Sequence, residues 1–143
     1  MSTEIVIREA HTEDLELLTE INSQGDEEGL RIARERLPEF INERRLLCAI
    51  KDSEIAGLLY WKENFPEPGT WELTQVTVQA EKRGEKVGQV LVEKFLEKAK
   101  ERGVARVVAD IVGANPASEA LLRKCGARVT HQEGEKMFYE ITP

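Results

Sequence analysis

The order of apolar segments in this chain predicts an α/β fold built on one mixed sheet. One β-branched segment is followed by two amphipathic segments with helical spacing, three strand-like segments, a helix, a strand, a helix and two final strands. No repeat, low-complexity tract or linker interrupts the 143 residues. We therefore expect a single domain over residues 1–143.

The two predicted helices of the first half follow one short strand. Residues 4–10 alternate in polarity and contain β-branched side chains, which is typical of a strand. Thr12 is a suitable N-cap for the first helix, and the polar residues 22–29 form a loop before the second. Pro38 lies inside this second helix and is expected to kink or divide it.

The second half is predicted from the same periodicities. The uninterrupted apolar run of residues 104–112 indicates a strand with both faces covered. Asn115 caps a short helix that Pro116 opens and Gly126 ends. The other predicted elements are strands at 46–50, 55–65 and 71–78, a helix at about 88–102, and a closing hairpin around 133–135.

Composition narrows the classes of function. The formal net charge is -7, which argues against nucleic acid as a partner, because its phosphates require cationic neutralisation. The histidines stand alone and show no metal-ligand spacing, and the two distant cysteines favour a reducing compartment. Neither a signal peptide nor a membrane-spanning run is present in the sequence, so we expect a cytoplasmic protein without a membrane partner.

The segment RGEKVG, from Arg83 to Gly88, lies between the fourth strand and the third helix. A turn from a strand into a helix presents unpaired N–H groups and the positive end of the helix dipole. Gly84 and Gly88 leave the backbone accessible, and Arg83 and Lys86 add positive charge. These features are typical of a pyrophosphate site, although an ordinary polar loop fits the glycines equally well. Neither the Walker pattern nor the dinucleotide fingerprint is present.

This segment resembles motif A of the GNAT superfamily of acyl-CoA-dependent N-acyltransferases, whose pattern is Arg/Gln-x-x-Gly-x-Gly/Ala. Arg83, Val87 and Gly88 match, whereas Lys86 stands where the family usually has its first glycine.

A second block, NPASEALLRKCGA, resembles the family's N-x-x-A-x-x-L-Y-x-K-x-G-F. Asn115, Leu121, Lys124 and Gly126 match in register. The order of elements is also the family's over nearly the whole chain.

The resemblance implies a single GNAT-like domain with a mixed, mostly antiparallel sheet of about seven strands and about four helices on both faces. It implies an acetyltransferase that uses acetyl-CoA as co-substrate and no metal. The acetyl group would pass to a primary amine, on a small molecule or a protein, by direct attack in a ternary complex. A monomer and a homodimer both remain open.

The resemblance also implies where acetyl-CoA binds. The pantetheine arm would bond the backbone of the fourth strand and Asn115, and the pyrophosphate would lie on the N–H groups of the glycine loop, which we define as residues 83–89. The implied cofactor-binding residues are Val76, Thr77, Val78, Arg83, Gly84, Lys86, Val87, Gly88, Gln89 and Asn115.

Two carboxylates are candidate catalytic bases. Glu72 shares a strand face with Val76 and Val78, and it matches the strand-four base of the histone-acetyltransferase branch. Asp110 matches an acidic residue of ribosomal-protein acetyltransferases, and its place in an apolar run would demand a partner. We rank Glu72 ahead of Asp110, although Glu72 also fits an exposed strand residue without a function.

Leu122 stands where family members often have a tyrosine that protonates the leaving thiolate. Together with Lys86, this departure keeps two alternatives open, a non-catalytic acyl-CoA-binding or regulatory domain and a structural domain without a cofactor.

A cationic acceptor is suggested by acidic residues between the first two helices and by aromatic residues near the strand ends. A solvated surface and core tryptophans explain each of these residues individually at least as well. The residues are Glu20, Asp26, Glu27, Glu28, Trp61, Phe65 and Trp71.

Overall fold

A computed structural model describes residues 4–143 and confirms the predicted α/β class and order of elements. Residues 1–3 of the predicted domain lie outside the described part. The strands are β1 (Val6–Glu9), β2 (Leu46–Lys51), β3 (Glu54–Glu63), β4 (Thr70–Val78), β5 (Arg106–Val112), β6 (Arg128–Glu133) and β7 (Lys136–Ile141), and the helices are α1 (Leu15–Ser23), α2 (Glu27–Asn42), α3 (Val87–Glu101) and α4 (Pro116–Lys124).

The seven strands form one sheet in the order β1-β2-β3-β4-β5-β7-β6. The pairs β1–β2, β2–β3, β5–β7 and β6–β7 are antiparallel, whereas β4 and β5 are parallel and are joined through α3. A parallel pair needs such a crossover because a tight hairpin cannot connect its strands. The expected mixed, mostly antiparallel sheet is confirmed.

The chain divides into two compact units. The first contains the chain up to Trp61 together with Gln75–Leu91, and the second contains Lys62–Thr74 together with Val92–Pro143.

In the first unit, α1 and α2 bury their apolar faces against one face of β2 and β3. The cluster includes Leu18, Ile21, Leu37, Phe40, Ile41, Cys48, Leu58 and Tyr60. On the opposite face of β3, a Cβ at Gly57 would lie 2.8 Å from the Thr77 carbonyl oxygen and 3.2 Å from Val87 Cγ1. Gly57 is therefore required for the close approach of β4 and the start of α3, the two elements that flank the glycine loop.

In the second unit, the buried face of β5 packs in a core that also contains Trp71 and Phe95, whose ring centroids are 5.9 Å apart. Val107 and Ala109 are buried, but Asp110 and Val112 point to the other face and are exposed. The prediction that both faces of this strand are covered is wrong. The run consists almost entirely of apolar residues, so the sequence alone did not reveal that buried and exposed positions alternate. Valine also occurs on the exposed face.

Two local predictions in α2 also need correction. The helix begins at Glu27, inside the predicted loop, because the Asp26 side chain accepts a hydrogen bond from the Gly29 N–H at 2.8 Å and caps the first turn. Pro38 does not divide the helix, which continues to Asn42, and a kink at Pro38 stays a prediction. The neighbouring Leu37 and Ile41 are buried, and their packing offsets the backbone hydrogen bond that proline cannot donate.

No helix in residues 4–143 is long and apolar enough to cross a bilayer. The same part of the chain contains no group of three or more histidine, cysteine or acidic side chains arranged to hold a metal ion.

Candidate functional site

The glycine loop turns through two residues with left-handed backbone conformations. After β4, a short 3-10 turn at Ala80–Lys82 leads into the loop, where φ is +82° at Gly84 and +68° at Lys86. Glycine adopts positive φ freely, whereas an L side chain pays roughly 1 kcal/mol or more. The glycine that the family pattern places at position 86 therefore has a conformational reason, and Lys86 adopts the same backbone with strain.

The N–H groups of the loop are largely unused. The Lys82 and Arg83 N–H groups donate to Gln79 O and Ala80 O at 2.9 and 3.3 Å, and the next backbone bond joins Val90 N–H to Lys86 O at 3.0 Å. Between them, the six N–H groups of residues 84–89 have no backbone acceptor within the described chain. They lie at the start of α3, where the helix dipole favours an anion.

The charged side chains within the loop are mostly positive. Glu85 forms an ion pair with Lys51 of β2, so its negative charge is compensated and the loop is fixed to that strand. Arg83 is exposed and donates from Nη2 to Gln24 Oε1 at 2.7 Å. Lys86 is exposed and forms no ion pair with a described residue. Two cations that no carboxylate neutralises thus accompany the unused N–H groups.

The last residues of β4 run beyond its ladder with β5. That ladder pairs Thr70–Glu72 with Arg106–Val108, whereas β4 continues to Val78. Val76 and Val78 are half-buried and Thr77 is buried, with its hydroxyl accepting from Gln75 Nε2 at 3.0 Å. The strand edge at these three residues is suited to pair with an extended ligand.

Asn115 has a structural role in α4. Its Oδ1 accepts from the Ser118 N–H at 3.2 Å, which is the N-cap predicted from sequence. The residue also lines a cavity of about 310 Å³ at the end of β5. The side-chain amide nitrogen of Asn115 remains a possible donor to a ligand. Its contact with a pantetheine arm stays a prediction.

Both candidate bases line a single cavity in the second unit, which we call the β5 cavity. Its volume is about 400 Å³, and its lining consists of Phe65, Pro66, Glu72, Arg106, Val108, Ala109, Asp110, Thr130, His131, Phe138, Tyr139 and Glu140. Glu72 Oε1 accepts from Thr74 Oγ1 at 3.3 Å. Asp110 is exposed, so solvent takes the place of the partner that was expected from the sequence.

A third carboxylate in the β5 cavity is neutralised. Glu140 accepts from Arg128 at 2.6 Å and from Arg106 at 3.0 Å, and these hydrogen bonds hold its pKa below the ordinary range of a glutamate. Arg106 also pairs with Glu67. Glu72 and Asp110 form no ion pair with a described residue, so they are the carboxylates of the cavity whose charge is uncompensated.

Some of the aromatic residues considered for the acceptor site lie in the core, and others lie at the surface. Trp61 and Trp71 are buried, which corrects the suggestion that they cradle an acceptor. Phe65 is 43% exposed at the rim of the β5 cavity. Phe138 stacks on His131 with a centroid distance of 4.3 Å and an interplanar angle of 6°.

The predicted acidic cluster between α1 and α2 is a solvated surface. Asp26 caps α2, and Glu28 pairs with Arg31 in the same helix. Glu20 and Glu27 are exposed.

The cysteines are not suited to nucleophilic catalysis. Burial raises the pKa of Cys48 to about 12 and also raises the pKa of Cys125, whereas a nucleophilic thiol needs a lowered pKa. An acyl-enzyme intermediate through either thiol is therefore disfavoured.

Leu122 is buried in the core of the second unit. Position 122 therefore supplies no acid in place of the tyrosine that the family often has there.

The chain belongs to the acetyltransferase (GNAT) family, whose family model matches residues 9–127. No curated protein shows a significant sequence match.

Solved structures share the fold at low sequence identity. A PaiA N-acetyltransferase from Thermoplasma acidophilum, solved in complex with coenzyme A, is 22% identical with a TM-score of 0.82, over 98% of this chain and 99% of that one. A ribosomal-protein-alanine N-acetyltransferase from Brucella melitensis is 23% identical with a TM-score of 0.80, over 96% and 99%. A GNAT-family acetyltransferase from Bacillus cereus is 17% identical with a TM-score of 0.83, over 97% of each chain.

Proposed function

We propose that this protein is an acetyl-CoA-dependent N-acetyltransferase that acetylates a primary amine on a small molecule or a protein. The observation that carries the proposal is the run of six unused N–H groups at residues 84–89, at the N-terminus of α3. In a chain of this family, such a run is suited to the pyrophosphate of coenzyme A. The complex of the Thermoplasma neighbour with coenzyme A supports the same cofactor.

In the proposed complex, the N–H groups of Gly84 to Gln89 bind the pyrophosphate oxygens. The side chains of Arg83 and Lys86 add charge at its rim, and Arg83 exchanges its bond to Gln24 for a phosphate oxygen. The pantetheine arm pairs with the backbone of Val76–Val78, as a short added strand.

The proposed reaction is direct transfer. The amine nitrogen attacks the thioester carbonyl carbon, a C–N bond forms, the C–S bond breaks, and coenzyme A leaves as a thiolate. The amine proton passes to Glu72, or to the rival base Asp110, directly or through water. Water protonates the thiolate, which is tolerable because thiols are moderately acidic.

A non-catalytic acyl-CoA-binding domain is the second candidate. The observation that favours it is Leu122, an apolar core residue at the position where the family often has its acid. Such a domain would bind acetyl-CoA without releasing free thiol.

Two measurements distinguish the candidates. Calorimetry with acetyl-CoA tests the cofactor, and thiol release with a panel of amines tests the transfer. We expect binding and amine-dependent thiol release. Binding without release from any amine would favour the non-catalytic domain, and absence of binding would contradict both.

A further inference from the structure

The glycine loop concerns the cofactor, so the features that bear on the acceptor are the lining residues of the β5 cavity. Among the lining residues, the uncompensated negative charge is on two carboxylates, because Arg106 and Arg128 neutralise Glu140 while Glu72 and Asp110 have no cationic partner in the described chain. Glu72 lies opposite Val108, and Asp110 lies two residues further along β5 on the same face. Ideal sheet geometry separates their Cα atoms by about 8 Å, so both carboxylates can approach one ammonium group.

Apart from Thr130 and the Arg106–Glu140 ion pair, the remaining lining residues are apolar or carry rings. Phe138 lies opposite Asp110 on β7, and its ring is stacked on His131. Phe65 and Pro66 line the cavity from the β3–β4 connection, and Val108 contributes to its floor. Flat rings at the walls favour a flat apolar ligand, since aromatic pairs gain energy beyond the burial of area.

The rings already have cations above them. Lys62 Nζ lies 4.7 Å from the ring centroid of Phe65, and Lys136 Nζ lies 5.8 Å from that of Phe138. A second ammonium on the ligand, placed at these rings, would be repelled by the lysines. The aromatic part of the cavity therefore favours an uncharged group, while Glu72 and Asp110 favour a cation.

We infer that the acceptor is an arylalkylamine, a primary amine on a short chain attached to an aromatic ring and lacking a carboxylate. The inference rests on the proposed function and specifies its substrate class. The ammonium binds between Glu72 and Asp110, and the ring lies against Phe65 and Phe138. One of the two carboxylates then accepts the proton that makes the amine nucleophilic.

Two other amine classes fit the cavity less well. The carboxylate of an amino acid would meet Glu72 and Asp110, while Arg106 and Arg128 are already engaged by Glu140. A polyamine would bring additional ammonium groups to a cavity without a third uncompensated carboxylate.

The test uses the full chain with saturating acetyl-CoA and measures steady-state thiol release. The acceptors are 2-phenylethylamine, phenylalanine, spermidine and a short peptide with an N-terminal alanine. We expect kcat/KM to be highest for 2-phenylethylamine, by roughly 10-fold or more, because spermidine has no aromatic ring, the peptide begins with a non-aromatic residue, and the carboxylate of phenylalanine would meet Glu72 and Asp110.

A matched pair of variants tests where the aromatic ring of the acceptor binds. Phe65→Ala removes an exposed side chain and should raise KM for 2-phenylethylamine by roughly 10-fold with little change in kcat or in acetyl-CoA affinity. Val112→Ala is the control. Val112 is 64% exposed on the same face of β5 as Asp110, and it does not line the cavity. It should leave both constants unchanged.

The outcomes separate this inference from the proposed function. A preference for spermidine, phenylalanine or the peptide, or an unchanged KM in Phe65→Ala, overturns the acceptor class and leaves an acetyltransferase. Acetyl-CoA binding without thiol release from any amine overturns the transferase function and the acceptor class together.

Discussion

The glycine loop and the β5 cavity are proposed to recognise their ligands in different ways. The loop, in the first unit, offers backbone N–H groups whose direction depends on φ at Gly84 and Lys86. The β5 cavity, in the second unit, offers side chains from β4, β5, β6 and β7. A backbone site should tolerate an unusual side chain such as Lys86 if the conformation is kept. A side-chain site changes with each residue, so the proposed acceptor site should distinguish one amine from another.

The largest effect on kcat is expected at the proposed base in the β5 cavity. Glu72→Gln keeps size and hydrogen bonding but removes basicity, so kcat should fall on the order of 10²-fold. Acetyl-CoA affinity should be unchanged, and the pH optimum should rise because the free amine must then form without the carboxylate. Steady-state kinetics over pH and calorimetry measure these quantities.

Asp110→Asn is the matched variant for that experiment. Full activity in Glu72→Gln together with loss of activity in a folded Asp110→Asn would reverse the ranking of the two carboxylates. If neither variant changed kcat, catalysis would consist mainly of positioning the amine against the thioester.

An intermediate effect is expected at Lys86, where charge and conformation can be separated. Lys86→Gly removes the cation and the strain of positive φ, whereas Lys86→Ala removes the cation and keeps the strain. The glycine variant should be more stable than the alanine variant by about 1 kcal/mol in urea unfolding. Acetyl-CoA affinity should change by less than about 10-fold, and equally, in both.

Equal stability of the two variants would contradict the left-handed conformation at Lys86. A large gain in acetyl-CoA affinity in either variant would show that the Lys86 side chain obstructs the loop.

The smallest effect concerns Glu140, which organises charge in the β5 cavity without a proposed role in transfer. Hydrogen bonds from Arg128 and Arg106 lower its pKa in the folded protein. Its contribution to stability is therefore fully present above the pKa of an unfolded glutamate, about 4.3. It is lost as pH falls through the lowered folded value.

Glu140→Gln should destabilise the protein by about 1 kcal/mol at pH 7 in urea unfolding, and the difference should shrink below pH 4. Glu135→Gln, in the turn of the same hairpin, is the control, because Glu135 forms no ion pair within the described chain. A difference between Glu140→Gln and the parent that did not depend on pH would show that the ion pairs are not its source.

The sequence was sufficient for the number and order of the strands and α-helices and for the position of the glycine loop, since these depend on local patterns. Apolar periodicity predicted seven strands and four helices, and Asn115 and Pro116 predicted the start of α4. The positive φ at Gly84 was also implicit in a glycine at that turn.

The β5 cavity could not be predicted because it depends on register between distant strands. Phe138 faces Asp110 only when β7 pairs with β5, and Arg106 reaches Glu140 by the same pairing. The alternation of polar and apolar residues in the last hairpin indicated which residues share a face with Phe138. It did not show which face of the sheet is open to solvent. Burial of Trp71 against Phe95 likewise follows from the packing of α3, which spacing alone does not determine.

The central claim is that the backbone at the start of α3 binds the pyrophosphate, and Gly88→Glu tests it most directly. A glutamate in the first turn of a helix is favourable for the fold. Its carboxylate would nevertheless meet the phosphates, so calorimetry should show acetyl-CoA affinity reduced on the order of 10²-fold or more. Binding of S-acetylpantetheine, which lacks the pyrophosphate, should be unchanged. A folded Gly88→Glu variant that binds acetyl-CoA as tightly as the parent would contradict the account.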